Sequence, residues 1–431
     1  RKEVSARGQG KPAPVMILSH GYTSNRMEAV AFGAYLARHG IATLAIDGPS
    51  HGLDLNEGEL ILAQALGDAF GIGPFVSGVL KDRATDMNDD GRKDSGGDYW
   101  TSYMFHTRDM VRQYALDVMQ LIRIFRAFDG QRRWKFDVLG QGQPGLAGDF
   151  DGDGVVDVGG SAAYHMAGGS LGGIMSTIVG GMEPALSTVV PIAGASGLGD
   201  VGTRTRQGGV PEPTVLRMMG PLFTGTLDAE TGETVIHTTV VDLNDYEEFE
   251  LGRVKGVAPG DTMVVENLVN GERGCGHVDS EGRVRAGIEA DIHDKVRLVF
   301  YGGQVVIGED CQLKPEIQPK VVFDKFAEDL SFQGISEPYQ QGAPLVTMAE
   351  GLGLRRANPE LRRFFSLAQL VIDPGDPSSF ANHMINEPLV YEATGEQTGV
   401  HALIVTTIGD MNVPASTGVI SGRIAGIIDY L

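Results

Sequence analysis

Between Pro14 and Asp47 the chain alternates a buried strand pattern with a helical one, and few architectures accept that alternation. The run PVMILSH (14–20) is apolar and ends in a turn. NRMEAVAFGAYLARHG (25–40) repeats apolar residues at helical spacing and stops at a glycine, and IATLAID (41–47) is a second apolar run. Strand, helix and strand in that order predict a parallel sheet, because parallel neighbours need a crossover long enough to hold a helix. The pattern continues downstream. HTRDMVRQYALDVMQLIRIFRAF (106–128) puts Val111, Ala115, Val118 and Ile122 on one stripe, which predicts a long helix packed on the sheet. AAYHMAG (162–168) and STVVPIAG (187–194) read as further strands, with a glycine-rich helix at 171–182 between them.

The character changes near residue 224. From TGTLDAETGETVIHTTVVDLN to DIHDKVRLVFYGG, short β-branched runs alternate with Gly, Asn and Asp turns about every 8 to 12 residues, as in small β-sandwiches. Helical and strand patterns return with PELRRFFSLAQLVI (359–372) and HALIVTTIGD (401–410). The expected organisation is an α/β core at 1–224, an inserted all-β sandwich-like domain at 225–315, and the second part of the core at 316–431. Cys275 and Cys311, the only cysteines, both fall within that insert. With no CxxC spacing, they are either a disulfide or two inert thiols, and an exported protein would favour the disulfide.

Charge removes whole classes of partner. With 35 Lys and Arg against 56 Asp and Glu, the net charge of -21 opposes binding to nucleic acid or to anionic membrane surfaces. No run of about 18 apolar residues is present, so no membrane-spanning helix is expected. The opening RKEVSARGQGKPAP lacks the apolar centre of an uncleaved export signal.

Two short stretches carry the chemistry. Gly168-Gly169-Ser170-Leu171-Gly172 fits G-x-S-x-G between an apolar strand and a helix. A serine there sits on a tight turn that only glycine neighbours tolerate, with its hydroxyl above the C-terminal edge of the sheet. The N–H of Leu171 and the positive end of the following helix then face a developing oxyanion. SHGYTSN (19–25) closes the first strand with a His-Gly pair, which makes the backbone N–H of Tyr22 the candidate second donor. In IDGPSHG (46–52), His51 reads as a structural loop residue.

These features resemble the α/β-hydrolase superfamily over roughly 14–200 and 320–431. GGDYWTSYMFHTRDMVRQYALDVMQLIR, the long gap before the serine, VIDPGDPSSFA and the β insert look more narrowly like large exported bacterial lipases and esterases. The chain departs from that pattern at Gly169, where a histidine is frequent. The resemblance implies an α/β-hydrolase fold, an ester or lipid substrate, and a secreted or cell-surface, outer-membrane-associated bacterial location. It also implies a triad in the order serine, acid, histidine. TTIGDMNVP (406–414) resembles the acid loop and nominates Asp410, which would orient an imidazole and stabilise its charged form. None of the ten histidines follows Asp410. His401 begins the strand that Asp410 ends, and His165 precedes the serine within its own strand. The last strand and the histidine loop of the family therefore have no place here, and the base is expected from a C-terminal fragment or companion chain.

Two acidic loops repeat one pattern. DMNDDGRKD (86–94) and DFDGDGVVD (149–157) share D-x-[DN]-x-D-G-x-x-D, which converges oxygen ligands on a hard cation. Asp86, Asn88, Asp90 and Asp94, with Asp149, Asp151, Asp153 and Asp157, are the candidate Ca2+ ligands. Position twelve is Gly97 or Gly160 rather than Glu, so neither is a complete EF-hand loop. Because the second loop leads into the nucleophile strand, its ion is expected to steady the approach to the site.

The sequence thus predicts a calcium-stabilised serine esterase or lipase whose β insert is free to bind another protein or surface. The alternatives are a non-catalytic binding protein that retains the fold, and a peptidase or amidase, since the serine turn does not select among acyl groups.

Overall fold

A computed structural model describes residues 10–87, 91–135, 142–240, 247–307, 311–332, 335 and 337–428. In chain order its first layer comprises β1 (Val15–Ser19), α1 (Glu28–Ala37), β2 (Ala42–Leu44), α2 (Glu57–Ala69), α3 (Gly73–Val79), α4 (Met104–Arg126), β3 (Tyr164–Gly169), α5 (Leu171–Met182) and β4 (Leu186–Ile192). After the antiparallel region come α6 (Pro359–Ile372), β5 (His401–Ala402) and α7 (Ala415–Ile424). The five strands form one parallel sheet in the order β5-β4-β3-β1-β2. The fold is therefore mixed α/β, with a parallel sheet flanked by helices and separate antiparallel sheets. The parallel sheet is the one that the alternation of strand and helix patterns predicts.

One face of the parallel sheet makes the main core. Val15, Ile17, Tyr164, Met166, Leu186 and Val189 point into it, where α4 brings Val111, Ala115, Val118 and Ile122 as the sequence stripe requires. Burying each such aliphatic side chain contributes about 1.5–3 kcal/mol. The helix α5 is buried along most of its length because glycines at 172, 173, 180 and 181 bring its backbone close to its neighbours.

The other face is only partly covered. Met16, Leu18, Ala167 and Ile192 line an apolar groove of about 500 Å3 with Phe32, Tyr35 and other residues of α1. Further along, Leu403 and Val405 stand exposed beside Ile192. α1 itself contains no buried residue.

Antiparallel strands run from Leu222 to Leu352, in sheets that enclose a second apolar cluster including Phe223, Ile236, Met263, Leu298, Phe300, Phe323 and Leu345. Cys275 and Cys311 are joined as a disulfide there. Pairing thus continues beyond residue 315, through the strand Val321–Phe323 and the bridge from Lys295 to Val346.

Candidate active site

The strand order reverses between β1 and β3. The chain leaves β1 toward β2 and returns on the opposite side, so the loops after β1 and β3 diverge and open a crevice at the strands' C-terminal ends. Ser170 closes β3, while Ser19, His20, Gly21 and Tyr22 close β1. The topology alone therefore brings the two chemical stretches together.

Ser170 lies in a tight turn with φ 53° and ψ -117°, a backbone conformation that side-chain-bearing residues avoid. Its N–H donates to the Ile192 carbonyl at 2.9 Å, and its own carbonyl accepts from Ile174 at 3.0 Å, so backbone bonds hold the turn. The flanking glycines are required by contact. A Cβ on Gly172 would lie 2.0 Å from the Ser19 carbonyl oxygen, and one on Gly168 would lie 2.5 Å from the same atom. The helix start is thereby pressed onto the end of β1. A Cβ on Gly21 would stand 3.9 Å from the Ser170 Cβ, which places the loop bearing Tyr22 beside the serine. Leu171 opens α5, where the first-turn N–H groups have no intrahelical acceptors. The Ser170 hydroxyl makes no hydrogen bond among the described residues.

His20 is fully buried and is locked on both sides. Its Nε2 accepts the Gly48 N–H at 2.9 Å and its Nδ1 donates to the Gly21 carbonyl at 2.8 Å, which fixes the neutral tautomer. Burial pulls its pKa down. The residue shapes the loop that carries Tyr22 and has no nitrogen left for Ser170. His51 lies against it, ring centroids 4.8 Å apart, and donates through Nδ1 to the Pro49 carbonyl at 2.7 Å. Its pKa falls to about 3, from burial first and from the neighbouring His20 second. The Nε2 of His51 is buried with no hydrogen-bond partner among the described residues, beneath Tyr22, Tyr99 and Gly96.

Asp410 follows β5 at the same edge of the sheet, two strands from β3. Its Oδ1 accepts the N–H groups of Asn412 at 2.8 Å and Val413 at 3.0 Å, which shapes the loop entering α7. The segment 206–209 spans from this loop to the serine side. Arg206 N–H donates to the Met411 carbonyl, the Asn412 side chain donates to Gln207, and the Tyr22 hydroxyl donates to the Gly209 carbonyl at 3.4 Å.

The histidines do not complete the set. All ten lie within the described residues, and none hydrogen-bonds Ser170 or Asp410. His165 is half-buried on β3 with its pKa lowered by burial, and His401 starts β5, at the end of the sheet away from Ser170.

The described residues of the two acidic loops share a pair of hydrogen bonds. In the second, Asp149 accepts from Gly154 N–H at 2.9 Å and Asp157 accepts from Phe150 N–H at 2.9 Å. In the first, Asp86 accepts from Gly91 N–H at 3.0 Å and Asp94 accepts from Met87 N–H at 2.6 Å, at the same loop positions. Asn88 and Asp90 lie outside the described residues. Carboxylate oxygens of Asp149, Asp151 and Asp153 all fall within 4.8 Å of one another. Ligands of a cation with metal–oxygen distances of about 2.3–2.6 Å occupy a sphere of that size, so the donors fit Ca2+.

Their positions correct one expectation. The Asp157 carbonyl accepts from Ala13 N–H at 2.7 Å, just before β1, so loop 149–157 sits at the sheet end opposite Ser170. It is loop 86–94 that leads to the site. It runs into Ser95, whose hydroxyl donates to the Ser24 carbonyl at 2.8 Å, and into Gly96, packed against Tyr22 and His51.

Arg26 belongs to no motif, yet it anchors the loop after β1. Its guanidinium pairs with the buried Asp47 at 2.5 Å and donates to the carbonyls of Gly78, Val79 and Lys81, tying the loop after β1 to the end of α3. Only an isolated arginine marks it in the sequence.

No protein-family model and no curated protein matches this chain. Among solved structures it is similar to acetyl xylan esterase 1 from Thermoanaerobacterium sp., at 17% identity and a TM-score of 0.23. That match covers 44% of this chain and 42% of the esterase, so the chain spans under half of the structure it matches.

Proposed function

We propose that the chain is the serine- and acid-bearing part of a hydrolase that cleaves carboxylic esters, including lipid esters, through an acyl-enzyme. Ser170 Oγ attacks the ester carbonyl, the N–H groups of Tyr22 and Leu171 hold the oxyanion, and Asp410 supports a histidine supplied from outside this sequence. The observation that carries the reading is the Ser170 backbone at φ 53°, a strained turn between a parallel strand and a helix at the strand-order switch point. Strain of about 1–3 kcal/mol is retained where it serves to present a side chain.

The base has a place to enter. Among the described residues the outer edge of β5 has no strand partner, and the sheet face beside it exposes Leu403, Val405 and Ile192. A companion segment adding a strand there would satisfy backbone groups, cover apolar surface and deliver an imidazole beside Asp410. Ca2+ held by Asp149, Asp151, Asp153 and Asp157, and a second ion at Asp86, Asn88, Asp90 and Asp94, would offset repulsion among the clustered carboxylates. Export belongs to the same reading, since it supplies the oxidising surroundings in which the Cys275–Cys311 bond persists.

The locked histidines favour one rival, a binding protein that keeps the fold without the chemistry. Hydrolysis of a p-nitrophenyl ester by the protein in its native form, beside the matching p-nitroanilide, separates the readings. Ester cleavage that falls at least ~1,000-fold in Ser170→Ala supports the esterase. Faster anilide cleavage would assign a peptidase or amidase, and no turnover of either would leave the binding protein.

A further inference from the structure

The geometry points to Glu28 as the residue that fits the crevice to esters carrying a cationic group. The inference rests on the hydrolase reading and names the substrate class of that same site. Glu28 opens α1, and its side chain stands exposed where that helix meets the C-terminal ends of β1 and β3. A Cβ on Gly21 would lie 3.8 Å from Glu28 Oε1, 3.9 Å from the Gly169 carbonyl oxygen and 3.9 Å from the Ser170 Cβ. All three are ordinary contact distances from one point, so the carboxylate and the nucleophile flank the same short piece of the β1 loop. Because residue 21 is a glycine, it puts no side chain between them.

The carboxylate is uncommitted. It has no hydrogen bond or ion pair among the described residues. The cation two positions before it is engaged elsewhere: Arg26 gives Nη1 to the buried Asp47 and Nη2 to the carbonyls of Gly78, Val79 and Lys81. On the far side of the crevice, Arg206 is tied through its N–H to the Met411 carbonyl, in the loop that also holds Asp410, so that side carries one charge of each sign. The strand ends themselves, 18–24 and 165–172, contain no lysine or arginine. Glu28 also acts at a distance. Burial lowers the His20 pKa, and the charges of Asp47 and Glu28 work against it. A positive group on a substrate held at Ser170 therefore meets a carboxylate and a backbone carbonyl oxygen, whereas a negative group meets repulsion with no adjacent free cation to offset it. The net charge of -21 adds a long-range pull in the same direction.

The test compares acetylthiocholine with its uncharged carbon isostere, neohexyl thioacetate, as substrates of the protein in its native form. The readout is the ratio of kcat/KM for the charged ester over the uncharged one. That ratio should fall about fivefold in Glu28→Gln and about as much again in Glu28→Lys, the size expected of a solvent-exposed ion pair. Added salt should shrink the ratio more in the unsubstituted protein than in Glu28→Gln. Glu28 is exposed, so circular dichroism of both variants should be unchanged, and a ratio taken within one variant cancels any loss of folded protein. A ratio that neither substitution moves, while the uncharged ester is still hydrolysed, overturns the role of Glu28 and leaves the hydrolase standing. Turnover of neither ester by the native protein contradicts the hydrolase reading, and this inference falls with it.

Discussion

At the level of single residues, the tight turn at Ser170 was legible and the contacts of its neighbours were not. Gly168 and Gly172 mark the turn at Ser170 because a tight strand-to-helix turn excludes side chains, as the 2.0 Å approach of a Gly172 Cβ to the Ser19 carbonyl oxygen shows. The His20 lock depends on Gly48, 28 residues away, so no local pattern could reveal it. His51 is likewise a product of tertiary burial, and it carries a pH signature. Its folded pKa of about 3 lies below the unfolded value of 6.5, so the unfolded chain binds the extra proton. Stability from this group is complete above pH 6.5 and is lost as pH falls toward 3, by about 1.4 kcal/mol per pH unit at most. Denaturant titrations at about pH 7 and about pH 5, either side of the unfolded pKa, should show this loss, and His51→Phe should flatten it. An identical pH slope in the variant would remove His51 from the account.

Elements were readable where one face is buried and the pattern is long. The stripe of α4 and the strand, turn and helix of 162–182 are formed as read, because their burial repeats at one fixed period. The α2–α3 hairpin escaped that test, since its apolar residues face outward and obey no burial period. Turn-spaced β-branched runs mark the insert to about residue 315, whereas beyond it pairing falls to short strands and single bridges, such as Lys325 with Pro344. The acidic loops were legible as motifs, but which one borders the site depended on the fold. For both loops, chelation of Ca2+ should lower the melting temperature by a few degrees, as expected when a ligand near ~100 times its Kd contributes about 2.7 kcal/mol. An unchanged melting curve in chelator, with no metal by elemental analysis, would count against the ions.

For the whole molecule, the strand order carries the argument. A chain that runs outward to β2 and returns past β1 to β3 must open a crevice between the loops that hold Tyr22 and Ser170, and the same order sets Asp410 at that edge. The alternation of strands and helices predicted a parallel sheet, but not that one face would remain half open. That openness depends on what α1 fails to cover, which no periodicity reports. The central claim is that this crevice presents an activated serine. Incubating the native protein with a fluorophosphonate and mapping the adduct by mass spectrometry tests it most directly. The account predicts one phosphonyl group on the peptide containing Ser170, absent in Ser170→Ala. Persistent absence of labelling, or an adduct elsewhere that survives the substitution, would contradict it.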